Sequence, residues 1–188
     1  MADIILASSS PRRRELLSQL GLNFQVYSPE IDETRLPNEA VAHYVKRLAC
    51  EKAAVVLEKY PDAVIIAADT SISIAEHVLG KPRDKADAFA MWKLLSGKKH
   101  DVFSGVCVLT SQQNHSIVVQ TQVEFQQLSL DDMEHYWATG EPIGKAGAYA
   151  IQGIAAQYIP SIHGSYSNVV GLPLYETAQL LKAVKALN

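Results

Sequence analysis

The stretch AVIIAAD, Ala63–Asp69, sets six apolar residues against a closing acid. An unbroken apolar run of this length, with no alternation of polar residues, reads as a strand covered on both faces, as in sheets flanked by helices. Upstream, DIILA (Asp3–Ala7) is a second such strand. PRRRELLSQL reads as a helix with Pro11 at its first position and Ser10 as its cap, and FQVYS (Phe24–Ser28) as another strand. Val41, Tyr44, Val45, Leu48, Val55 and Val56 recur at helical spacing and predict a long amphipathic helix over residues 38–59.

Downstream of Asp69, the alternation and the Gly80-Lys81-Pro82 turn in TSISIAEHVLGKPRD predict a short hairpin and loop. A helix is expected over 85–95, and then two long strands joined by a polar turn within residues 100–128. A short helix over 131–138, a Gly-rich polar segment, a strand over 156–159 and a closing helix over 173–187 complete the reading. No repeat or linker divides the chain, so residues 1–188 are expected to form one α/β domain with a mixed central sheet and flanking helices.

With 48% hydrophobic residues, 188 residues suffice for a substantial core. A formal charge of -3 argues against bulk binding to nucleic acid or to an anionic membrane, so any anion site must be local. Cys50 and Cys107 lack metal-ligand spacing and read as reduced thiols. No segment approaches about 18 continuous apolar residues, and the expected setting is the cytoplasm.

Three polar features break the apolar pattern. The first is SSSPRRR, Ser8–Arg14, at a helix start, where unpaired N–H groups and the helix dipole already favour an anion. Arg13 is in line with Leu16, Leu17 and Leu20, and could grip phosphate with paired donors. The alternative is a simple Ser-Pro cap with solvated arginines. The second is Lys52, which falls in the apolar stripe four residues after Leu48 and must either find a partner or snorkel to water. The third is Asp69 with Thr70 at the end of an interior strand, the usual place of ligand crevices in open α/β sheets, although an aspartate there could also simply start a turn. If the first and third strands are parallel, Ser8 to Arg13 and Asp69 face one crevice. The six histidines show no paired spacing, which leaves carboxylates as the ligands for a hard cation such as magnesium. The chain has no GxSxG, Walker or GxGxxG motif.

Seven ordered motifs closely resemble the Maf family of nucleoside triphosphate pyrophosphatases. They are LASSSPRRRELL (Leu6–Leu17), RLACEKA (Arg47–Ala53), AADTSISI (Ala67–Ile74), LGKPRDKADA (Leu79–Ala88), LSGKKHDVFSGV (Leu95–Val106), KAGAYAIQG (Lys145–Gly153) and GSYSNVVGLPLYET (Gly164–Thr177). The resemblance implies a fold like that of inosine triphosphate pyrophosphatases, with a nucleotide cleft between two lobes, and a homodimer. It implies hydrolysis of a nucleoside triphosphate to monophosphate and pyrophosphate with a divalent cation, magnesium or manganese. Asp69 would be the base that activates water, Ser8, Arg13, Lys52 and Lys81 would hold the substrate, and Glu33 with Asp69 would approach the metal. Arg12, Thr70 and Gln152 match the branch acting on dTTP and UTP. An amide at Gln152 offers both donor and acceptor to a uracil or thymine edge. Two other readings come with the family: a nucleotide-binding regulator of septum formation, and a 7-methyl-GTP pyrophosphatase. Ser71, Ser73 and Gly144 depart from the family pattern without touching the implied catalytic set.

Overall fold

The computed structural model describes residues 3–75 and 77–187. The elements run β1 (Ile4–Ala7), α1 (Pro11–Ser18), β2 (Gln25–Tyr27), α2 (Val41–Lys59), β3 (Val64–Ile74), β4 (His77–Leu79), α3 (Lys85–Leu95), β5 (Lys99–Leu109), β6 (Asn114–Glu124), α4 (Leu130–Ala138), β7 (Ser161–His163), α5 (Tyr166–Val170) and α6 (Leu174–Ala183). The strand order is β2-β1-β3-β5-β6-β7, with β4 on β3. β1 is parallel to β2 and to β3, whereas β3/β4 and β6/β7 are antiparallel, so the sheet is mixed as expected. Glu76, in the expected β3–β4 hairpin, lies outside the described residues.

The chain divides into two compact units. One takes the chain up to Thr70, Ser104–Val119 and everything from Gly171; the other takes Ser71–Phe103 and Gln120–Val170.

In the first unit, Ser10 caps α1 by accepting from the Arg13 N–H at 3.4 Å, with Pro11 at the first helical position. Helix α2 lays Val45, Leu48, Ala49, Lys52, Ala53 and Val56 inward. Ala49, Ala53 and Val56 pack on Ile5, Ala7, Ile65, Ala67 and Cys107 of β1, β3 and β5. Leu48 and Val56 are fully buried, worth about 2 kcal/mol each in transfer terms. The helix can lie this close because residue 105 is glycine: a Cβ there would overlap the Val45 carbonyl. α2 starts at Val41 rather than 38 because Asn38 takes a left-handed φ of 57° and Ala40 is extended, with φ -63° and ψ 144°. Lys185, with φ 59°, likewise ends the closing helix early.

The second unit is organised by aromatic side chains. Trp92, on α3, packs against Tyr136 of α4 with the rings tilted by 40° and 5.3 Å between centroids, and donates through Nε1 to the Ala148 carbonyl at 3.1 Å. His100 bonds the Tyr149 hydroxyl at 2.8 Å, and burial pushes its pKa down to about 4. The strand expected over 156–159 is not formed. Ile154–Tyr158 make a 3-10 turn and β7 begins only at Ser161, after Pro160. The Glu141 carboxylate accepts from the N–H groups of Ile154 and Ala155, which bends the chain at two alanines of low strand preference. Among the described residues, no helix is long and apolar enough to cross a membrane.

Candidate active site

The register of the parallel strands decides what meets Asp69. Leu6 pairs with Ile66, and β1 ends one residue later, at Ala7, whereas β3 runs on to Ile74. Asp69 therefore does not terminate its strand; it lies on the part of β3 that continues past the end of its neighbour. A strand sends alternate side chains to opposite faces. Ile65 and Ala67 face α2, and Asp69 follows them in that series. Thr70 turns to the other face.

On the α2 face, Lys52 Nζ lies 2.8 Å from Asp69 Oδ1 and 2.7 Å from Glu33 Oε1. The lysine side chain is only 10% exposed, so it is not snorkelling; its charge is matched inside the protein by two carboxylates. Glu33 lies in a loop that α2 itself secures. Tyr44 donates to the Glu33 carbonyl at 2.8 Å, and Arg47 donates to the Thr34 carbonyl at 3.1 Å. Burial, then the negative charges of Asp69 and Glu33, push the Tyr44 hydroxyl above its ordinary value.

On the opposite face, Arg13 donates from Nε to the Gly171 carbonyl at 2.9 Å, from Nη1 to Ser8 Oγ at 3.3 Å and from Nη2 to Thr70 Oγ1 at 3.2 Å. Thr70 Oγ1 also lies 2.8 Å from Ser104 Oγ on β5. The guanidinium thus ties the turn after β1, strand β3 and the segment entering α6, and its remaining N–H groups are the ones a phosphate would meet. Burial opposes the Arg13 charge while Asp69 favours it, with a net downward pull on its pKa. Arg12 is half-buried and its pKa is also lowered, chiefly by burial; Arg14 is exposed.

Ser8, Arg12, Arg13, Glu33, Lys52, Asp69 and Thr70 all belong to the first unit. Lys81 and Gln152 belong to the second, both exposed, Lys81 in an irregular loop and Gln152 in a turn. Sequence reasoning missed Ser104 and the Gly171 carbonyl. Ser104 had one local signal: it directly precedes the glycine on which α2 rests.

Among the described residues, no cluster of three or more histidine, cysteine, aspartate or glutamate side chains is placed to hold a metal ion. Two carboxylates held by one ammonium are an all-oxygen donor pair. Such a pair fits a magnesium-like ion that takes its other ligands from water and substrate phosphates.

A partly parallel sheet carrying cations and carboxylates where one strand outruns its neighbour defines an α/β protein equipped for a charged ligand. The chain belongs to the Maf family: the model described as Maf-like protein matches residues 3–184. It is 66% identical over 183 residues to the dTTP/UTP pyrophosphatase of Acinetobacter baylyi, covering 97% of this chain and 100% of that protein. It is 50% identical over 179 residues to the dTTP/UTP pyrophosphatase of Myxococcus xanthus, covering 95% and 91%. Among solved structures, the Vibrio cholerae protein VC0702 aligns with TM-score 0.50 and 12% identity over 100% of this chain and 99% of that one. The Staphylococcus aureus Ham1 protein aligns with TM-score 0.50 and 11% identity over 65% and 71%. At such identities these two likenesses bear on the fold alone, and they match the expected α/β class.

Proposed function

We propose that this chain is a nucleoside triphosphate pyrophosphatase that hydrolyses dTTP and UTP to the monophosphate and pyrophosphate, clearing nucleotide pools. The observation that carries the reading is the Glu33–Lys52–Asp69 cluster, found in a chain 66% identical to a dTTP/UTP pyrophosphatase. Water attacks the triphosphate, the α–β phosphoanhydride bond breaks, and its electron pair leaves with pyrophosphate. Asp69 takes the proton from the attacking water. Lys52 holds Asp69 and Glu33 in place and presents positive charge to the phosphates. Arg13, fixed by Ser8, Thr70 and Gly171, presents its remaining N–H groups to the same polyanion. Glu33 and Asp69 would hold a divalent cation, magnesium or manganese, whose chemistry is to neutralise phosphate charge.

The motif match adds Lys81 as a further phosphate contact, and Arg12, Thr70 and Gln152 as the groups that select a pyrimidine base. Nucleoside triphosphates are intracellular metabolites, so the reading brings a cytoplasmic location with it. The family resemblance brings a homodimer, which light scattering of the purified chain tests.

The deciding experiment incubates the protein with UTP, dTTP, CTP, GTP and 7-methyl-GTP, with magnesium or manganese or with chelator alone, and resolves the products. Monophosphate and pyrophosphate from UTP and dTTP, lost in chelator and in Asp69→Asn, are expected. Diphosphate with orthophosphate, or no turnover of either pyrimidine nucleotide, refutes the reading.

A further inference from the structure

Gln152 is exposed between the buried residues Ile151 and Ala150 on one side and Ala155 on the other. An exposed amide can meet a base edge reproducibly only if the main chain that carries it is held in place, since that sets how far and in what direction the side chain reaches. In the second unit that backbone converges on one carboxylate. Glu141 Oε2 accepts from Ile154 N at 2.8 Å; Oε1 accepts from Ala155 N at 3.2 Å and from the Tyr136 hydroxyl at 2.7 Å. The same hydroxyl accepts from Ala150 N at 3.2 Å. Main-chain N–H groups on both flanks of Gln152 are thus tied, directly or through Tyr136, to Glu141. Between them lies Gly153, where a Cβ would overlap the Glu141 carboxylate, so the turn closes directly onto that group. Glu141 lies beyond the end of α4, and besides the Tyr136 hydroxyl on that helix its carboxylate accepts only from the turn.

We propose that Glu141 is a positioning residue for base selection: its carboxylate, with the Tyr136 hydroxyl, fixes the main chain of the turn 150–155 so that Gln152 carries its amide within reach of the uracil or thymine edge. The proposal rests on the reading of Gln152 as the base contact. Glu141 touches no substrate and acts through Gln152. Its substitution by glutamine replaces one accepting oxygen with a donor, and one of the turn N–H groups loses its partner.

The test measures kcat and KM for UTP, CTP and GTP with the wild-type chain, Glu141→Gln, Gln152→Ala and the double variant. Amide hydrogen exchange at Ile154 and Ala155 provides a second readout. Glu141→Gln is expected to lower kcat/KM for UTP about tenfold, the effect of about one lost hydrogen bond, mostly through KM. CTP and GTP should change little. Exchange at Ile154 and Ala155 should quicken while the remainder of the unit keeps its protection. Gln152→Ala should lower the UTP preference to a similar degree, and the double variant should fall no further. An equal loss with all three nucleotides, or additive losses in the double variant, overturns the proposal and leaves Glu141 a purely structural group. A Gln152→Ala variant with intact UTP preference refutes the base-contact reading, and the proposal with it. If Glu141→Gln does not fold, Gly153→Ala presses on the same carboxylate from the turn side, and an unchanged UTP preference in that variant overturns the proposal equally.

Discussion

Replacing Lys52 with methionine keeps most of the side-chain volume and removes the ammonium shared by Asp69 and Glu33. At 2.8 Å and an effective dielectric of 20, the attraction between Lys52 and Asp69 is about 6 kcal/mol before desolvation is subtracted. Both side chains are nearly buried, 10% and 12% exposed, so desolvation returns a large part of that sum. The Glu33 arm adds at most about 1 kcal/mol, because that carboxylate is half in water. Removing one partner of a buried pair leaves the other charge stranded, and the expected loss for Lys52→Met is about 3 kcal/mol. For a chain of this size that lowers Tm by roughly 6–12 °C. Asp69→Asn should cost less, since Lys52 retains Glu33. The double variant should then lose about 2 kcal/mol less than the sum of the single losses. Urea denaturation of all four proteins at pH 7.5 without nucleotide, followed by far-UV circular dichroism, closes the cycle. Additivity within about 0.5 kcal/mol would refute the inference that these two groups stabilise each other in the folded protein.

Acid should weaken the fold through His100. Its folded pKa is near 4 against an ordinary 6.5, so between those values the unfolded chain binds a proton that the folded chain does not. The stabilisation is full above about pH 6.5 and is lost as pH falls toward 4, about 3 kcal/mol in all. Urea midpoints should fall more steeply with pH for the wild type than for His100→Gln, and parallel curves would contradict this. Gly105→Ala forces a Cβ into the Val45 carbonyl, and overpacking of this kind costs about 1–3 kcal/mol. Because α2 carries Lys52, kcat/KM for UTP should fall together with Tm, and normal activity would show that the helix can shift without moving the lysine.

What was legible in the sequence, and what was not, follows from the range over which each signal acts. AVIIAAD announced a strand covered on both faces because burial is written in composition, and every residue of β3 from Val64 to Asp69 is buried. The continuation of β3 through Thr70 to Ile74 was hidden, since TSISI alternates like the start of a hairpin and nothing local says that one strand serves both. The turn at Ile154–Tyr158 was misread as a strand for a related reason. Its shape depends on Glu141, whose carboxylate is bonded to N–H groups 13 and 14 residues away.

The candidate site divides along the same line. A lysine in an apolar stripe declares that it needs a partner, because an unpaired buried charge is costly; that much was visible at Lys52. Which carboxylate answers is a matter of register. Had β1 paired with β3 one residue out of step, alternation would have turned Asp69 away from α2 and brought Thr70 to the lysine. Arg13 was read, from its line with Leu16, Leu17 and Leu20, as a group that could grip phosphate, yet three of its donors are spent on Ser8, Thr70 and the main chain at Gly171, 158 residues away. A carbonyl oxygen is present at every residue and carries no sequence signature, so such a partner cannot be found from composition or spacing. Arg13 at the start of α1 thus holds the site together, and the proposed function gives its remaining donors to the ligand. Arginine suits that double task because its fork has donors left after three have been used, whereas a lysine at position 13 would offer one ammonium to the same partners and could not span them.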